Sequence, residues 1–179
     1  MDGTWLPRDG RAPRELVLSF LDLARFTLIL RKQPDDRSAE VIDRFYCLVH
    51  EAVDGSGGTV IKFLGDGALI VWPPDQADDA LRGLIGLREA TRAWAAREAW
   101  DTHLVARLHY GSVIAGMYGP PGHQHVDIIG SAVNVAARLE AQTLSVSAEA
   151  FRRLSAEGRQ LLKKHTPPIV YIPLDDPRP

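Results

Sequence analysis

Cysteine occurs once in the 179 residues, at Cys47. One thiol excludes an intrachain disulfide framework and fits a reducing, cytoplasmic setting. Cys47 falls in the apolar helical stretch DRFYCLVHEAV, so a buried, inert thiol is expected rather than a nucleophile. Long hydrophobic runs are missing too. None approaches the roughly 20 residues of a bilayer span, and the opening MDGTWLPRDGRAPREL has no apolar core of a secretory signal. No membrane insertion is expected. Nor is there an excess of one charge: 21 basic against 23 acidic residues leave a formal −2. That balance gives no general pull toward a nucleic-acid polymer or an anionic surface. Internal repeats and low-complexity tracts are absent.

What is present is an ordinary globular composition, 45% hydrophobic and 25% charged. A chain of this length forms one domain that buries roughly 70% of its unfolded surface. Both ends, LPRDGRAP and PLDDPRP, are rich in proline and charge. The expected organisation is a flexible segment over 1–13, a folded domain over 14–174 and a tail over 175–179.

ELVLSFLDL, residues 15–23, reads as a strand ending in an aspartate, with a short helix from about Ala24. Asp36 or Ser38 can cap a longer helix in which Val41, Ile42, Phe45, Leu48, Val49 and Val53 recur at helical spacing. DGSGG stops that helix. A hairpin follows over 59–72, then a long helix with Leu81, Leu84, Ile85, Leu87 and Trp94 on its apolar stripe. HLVARLHYG and SVIAGMYG read as a strand pair, HVDIIG as a further strand, and SAVNVAARLEAQ as a helix. LSVSAEAFRRLS suggests a short strand and helix, and PPIVYIP a final strand. The order begins β-α-α-β-β-α-β, which argues an α+β fold with a mostly antiparallel sheet covered by helices.

Three stretches carry residues suited to chemistry. In KFLGDGALIVW, residues 62–72, Gly65 and Gly67 flank Asp66 between two apolar runs. Asp66 alone reads as a turn former, and Asp22 alone as a helix N-cap after its strand. If the first strand pairs with the hairpin, both carboxylates reach one edge of the sheet, where they suit a two-metal site for hard divalent cations. LARFT, residues 23–27, runs straight into a helix, and amides at a helix start favour a polyphosphate. In VDIIGSAVNVAARLE, Asn134 and Arg138 lie four apart on one helix face, preceded by Asp127 on an apolar strand.

Together these stretches resemble the catalytic domain of class III nucleotidyl cyclases. FLDLARFT is similar to the family's first metal motif, KFLGDG to its second, and VDIIGSAVNVAAR to its helix-borne transition-state motif, in matching order across residues 14–174. The resemblance implies the ferredoxin-like, palm-type cyclase fold. It implies two divalent cations, Mg²⁺ or Mn²⁺, held by Asp22, Asp66 and the Leu23 carbonyl. It implies triphosphate contacts from Ala24, Arg25, Phe26 and Thr27, with Lys163 or Lys164 as a further contact. Asn134 would orient the ribose and Arg138 would stabilise charge on the α-phosphate. It also implies a homodimer with two shared sites, one chain giving the metal aspartates and the other the base-reading and Asn/Arg residues. The implied activity is conversion of ATP to 3′,5′-cyclic AMP and pyrophosphate.

The choice of base follows from hydrogen bonding at the family's base-reading positions, here Lys62 and Asp127. Lysine only donates and ionised aspartate only accepts, which matches N1 and the 6-amino group of adenine; guanine reverses both. The chain departs from the family pattern at Arg25, where glycine is usual, and in LLKKHTPP, which lacks the framing glycines. Three alternatives stay open: a nucleotide-binding regulatory module without useful turnover, a guanylate cyclase, or another palm-like enzyme. His123 and His125 have spacing for a transition metal but no third ligand, so a polar loop or dimer arm is the plainer reading. Trp94 and Trp100 read as packing.

Overall fold

The computed structural model describes residues 10–177. Of the expected N-terminal segment, residues 1–9 lie outside the described residues, as do 178 and 179 of the tail. Residues 11–13 already belong to the first strand, β1 (Arg11–Leu23), which is 13 residues long.

The hairpin forms as expected from β2 (Thr59–Leu64) and β3 (Gly67–Trp72). β4 (Leu104–Tyr118) corrects the expected strand pair, for it is one strand of 15 residues. Gly111, where the expected pair divides, is a point of close approach: a Cβ there would lie 2.8 Å from the Ala132 Cβ of the helix above. Beyond β4 come β5 (His125–Ile129), β6 (Leu144–Val146), β7 (Leu162–His165) and β8 (Val170–Pro173). They build an eight-stranded sheet in the order β2-β3-β1-β4-β6-β8-β7, with β5 also paired to β4. The ladders are antiparallel except β4 with β6, which is parallel. The sequence of β7, LKKH, carries no strand signal; its pairing with β8 forms it.

The helices are α1 (Phe26–Leu30), α2 (Asp35–Gly55), α3 (Ala77–Arg97), α4 (Ser131–Arg138), α5 (Ala148–Arg153) and α6 (Ala156–Gln160). The expected cap of α2 by Asp36 or Ser38 is not formed. Pro34 holds the N-cap with extended backbone, and Asp35 and Asp36 sit in the first turn, where they complement the helix dipole. Cys47 is exposed, contrary to expectation. The buried positions of α2 are Val41, Phe45, Leu48, Val49 and Val53, and Cys47 falls off that stripe. Among the described residues no helix is long and apolar enough to cross a membrane.

Strand alternation sorts the interior into two layers. Val17, Leu21 and Leu23 of β1 join Ala68, Ile70 and Trp72 of β3 under α1, α2, α3 and α5. Leu16 and Leu18 of β1 join Leu69 and Val71 of β3 under α4, whose Ala132 and Ala136 face them. With both faces covered, all six residues of β3 are buried. In the larger layer Phe26 packs against Trp94 and Trp100 at ring-centroid distances of 6.3 Å, so both tryptophans are packing groups.

Phe45 is fully buried where α2 meets this layer. Phe45→Ala is expected to cost about 3–5 kcal/mol through lost transfer energy and a cavity, read as a lower urea midpoint with an unchanged m-value.

Candidate active site

Two strand ends meet at the candidate site. In the β1–β3 ladder Asp22 stands opposite Gly67, the residue after Asp66. The Leu23 amide donates to the Asp66 carbonyl at 3.2 Å, so the expected neighbours Asp22 and Asp66 are joined through the backbone. Each glycine beside Asp66 has its own cause. Gly65 has φ +66, as the first residue of a two-residue hairpin loop often does. A Cβ on Gly67 would lie 2.6 Å from the Leu21 carbonyl oxygen. The turn is held from outside by Tyr46 of α2, whose hydroxyl donates to the Gly65 carbonyl at 2.9 Å and whose ring stacks on Phe63 at 3.8 Å.

The donor set fits hard divalent cations. Among the described residues the Asp66 carboxylate has no side-chain partner, and no group of three or more His, Cys, Asp or Glu gathers. Ions held by Asp22 and Asp66 would therefore take their other oxygens from a main-chain carbonyl, water and phosphate. The Leu23 side chain is buried in the core, leaving only its backbone for such a role. His123 and His125 belong to no metal cluster among the described residues, and His125 instead approaches Asp127 at 3.9 Å.

The segment after Asp22 is more committed than its sequence suggested. The Ala24 amide donates to the His103 carbonyl at 2.9 Å, and the Ala24 carbonyl accepts from the Thr102 hydroxyl at 2.7 Å. Phe26 has its side chain in the core, so it and Thr27 offer their main chain, at the start of α1 where no earlier turn supplies carbonyls. Arg25 has φ +60 and ψ +10, which explains why the family pattern favours glycine here. Its guanidinium pairs with Asp101 at 2.8 Å.

Lys62 and Asp127, 65 residues apart in the chain, converge: Nζ donates to Oδ2 at 2.6 Å. Asp127 Oδ1 accepts the Ile128 amide at 2.8 Å, which fixes the carboxylate. Asn134 and Arg138 are both exposed and line one open groove with Ser131, Val135 and Glu140. Neither side chain has a polar partner among the described residues. The two C-terminal lysines separate by strand alternation. Lys163 is half-buried and donates to the Asp176 carbonyl at 2.7 Å; Lys164 is exposed. The tail is held as well, with Asp175 paired to Arg88 at 2.5 Å.

The sequence pattern did not single out Arg107 of β4. Its Nη1 donates to Asp22 Oδ1 at 2.8 Å and its Nε to the Leu139 carbonyl at 3.0 Å. The only sequence signal was an arginine in the apolar strand VARLHY. Tyr46 and Asp101 gave none.

Comparison with known proteins identifies the family. Residues 13–167 match the model of the adenylate and guanylate cyclase catalytic domain. The chain belongs to that family. This cyclase domain is 33% identical over 153 residues to adenylate cyclase 2 of Rhizobium meliloti, covering 78% of this chain and 42% of that protein. It is 28% identical over 142 residues to adenylate cyclase 1 of the same organism, covering 73% of this chain and 21% of that protein. The chain thus spans less than half the length of these curated relatives. Among solved structures, the adenylyl cyclase CyaB from P. aeruginosa superposes with a TM-score of 0.83 at 17% identity, covering 95% of this chain and 98% of that one. A bacterial light-regulated adenylyl cyclase gives 0.81 at 23% identity, covering 93% and 54%. At these identities the superpositions establish the α+β cyclase fold.

The left-handed backbone at Arg25 yields a prediction. A side chain there costs about 1–2 kcal/mol, and β-branching makes the conformation worse. Arg25→Gly and Arg25→Val both delete the pair with Asp101. The glycine variant is expected to melt at or above the wild-type temperature, and the valine variant roughly 2–6 °C below it, as read by circular dichroism.

Proposed function

We propose that the domain is an adenylate cyclase that converts ATP to 3′,5′-cyclic AMP and pyrophosphate in a homodimer with two shared sites. The single observation that carries the base assignment is the convergence of Lys62 and Asp127 at 2.6 Å. A donor and an acceptor held side by side suit the N1 and 6-amino edge of adenine and oppose guanine. The Asp127 side chain is only 12% exposed, so a mismatched base would leave polar groups unpaired at a cost of several kcal/mol.

In this reading Asp22 and Asp66 of one chain would hold the divalent ions, which would supply charge neutralisation at the triphosphate and a more acidic ribose 3′-hydroxyl. Asn134 and Arg138 of the other chain face the ribose and the α-phosphate. The 3′-oxygen gives up its proton to solvent water and forms its bond to the α-phosphorus as the bond to the departing pyrophosphate breaks. Arg138 offsets charge that develops in that step, and its freedom from other partners among the described residues supports the role. Lys164 is the better lysine for the triphosphate, because Lys163 is bonded to Asp176. Amides of Phe26 and Thr27 are better placed than that of Ala24, which is already bonded to His103. Exposed apolar side chains support the dimer: Ile114 and Ile129 are direct cross-strand partners at 40% and 53% exposure, and Val135 of α4 is also exposed. The named activity of the Rhizobium meliloti relatives points the same way.

Two outcomes test the reading. Asp66→Ala and Arg138→Ala chains, each inactive alone by cyclic AMP assay with Mg²⁺ or Mn²⁺, should recover up to about a quarter of wild-type activity when mixed, because half the dimers are mixed and each has one intact site. No recovery despite proven exchange rejects the shared site. Replacing Lys62 by Glu and Asp127 by Cys together should shift the ratio of kcat/KM for ATP over GTP toward GTP by at least about tenfold; an unchanged ratio rejects the base assignment.

A further inference from the structure

Arg107 adds a permanent cation to the proposed metal centre. In the ladders Lys62 stands opposite Leu69, Leu69 opposite Phe20, and Phe20 opposite Arg107. That row lies on the α4 face of the sheet, and Asp22, two residues beyond Phe20, shares the face. The guanidinium is held at two points by different parts of the fold: Nη1 on Asp22 Oδ1 at 2.8 Å, and Nε on the carbonyl of Leu139, which terminates α4, at 3.0 Å. Its side chain is only 21% exposed. A planar fork fixed in this way is less free to leave Asp22 than a surface lysine would be. Any divalent ion on Asp22 therefore has a positive charge beside it.

The consequence depends on what accompanies the ion. A bare dication must share the carboxylate with Arg107 and is repelled by it. An ion delivered on a nucleotide triphosphate brings net negative charge, so the repulsion is offset and the guanidinium gains an anionic neighbour. We propose that Arg107 is a positioning residue that makes the Asp22 centre discriminate in favour of the metal–nucleotide complex over the free cation. The inference rests on the assignment of Asp22 as a metal ligand.

Direct binding tests it without turnover. Mn²⁺ affinity is measured on the full chain by electron paramagnetic resonance, with Mn²⁺ alone and with Mn²⁺ plus α,β-methylene ATP. Arg107→Gln should lower the Kd for free Mn²⁺ about tenfold, equivalent to about 1.4 kcal/mol, while the Kd for the Mn²⁺–analogue complex stays within about threefold or rises. Arg107→Lys, which keeps the charge, should stay near wild type for free Mn²⁺. Arg107→Met is the second neutral variant, and melting curves identify which variants fold. A merely structural role would weaken both forms of binding together. If Asp22→Asn loses Mn²⁺ binding but neither folded neutral variant tightens it, the inference is overturned and the metal assignment stands. If Asp22→Asn binds Mn²⁺ as wild type does, the assignment fails and the inference with it.

Discussion

β1 is hydrogen-bonded to β3 on one side and to β4 on the other, and its register governs both the core and the site. Leu16 and Leu18 fill one layer while Val17, Leu21 and Leu23 fill the other. A slip of one residue would exchange the two sets and turn Asp22 away from the α4 face. Each of these apolar side chains stabilises the fold by about 1.5–3 kcal/mol when buried. That exceeds what a carboxylate at the strand end contributes to folding, so the direction of Asp22 is set by hydrophobic burial and the chemistry inherits it.

The α4 face brings polar groups together in matched pairs. Lys62 meets Asp127, and Arg107 meets Asp22. Such pairing lets charged side chains stand against an apolar layer without leaving a desolvated charge alone. Asp66 in the hairpin turn, and Asn134 and Arg138 on α4, have no side-chain partners among the described residues. These are the groups the proposed reaction needs free. The scaffold thus restrains Lys62, Asp127 and Asp22 while the groups proposed to react stay available.

Much of this was legible in the chain. Asp22 at a strand end, Gly65-Asp66-Gly67 in a hairpin, and Asn134 with Arg138 one helical turn apart follow from period and turn chemistry alone. What stayed hidden depends on tertiary partners. The apolar neighbours of Cys47 suggest burial, although the stripe through Phe45, Leu48 and Val49 already turns it outward. Gly111 resembled a break because the close approach of Ala132 is invisible along the chain. Arg107 was one charge in a strand until Asp22 and Leu139 came to meet it. At Arg25 the departure from glycine was visible, but its cause, a left-handed backbone, was not.

The two rims of the sheet carry a last consequence. β2 and β7 end the strand order, and each presents lysine: Lys62 beside an irregularity after Val60, and Lys163 with Lys164 along four residues. Bulges, short length and ammonium groups discourage stray strands from docking on an unpaired rim. The lysine proposed here to read the base, and the one proposed for the phosphates, thus sit where they also discourage self-association into aggregates.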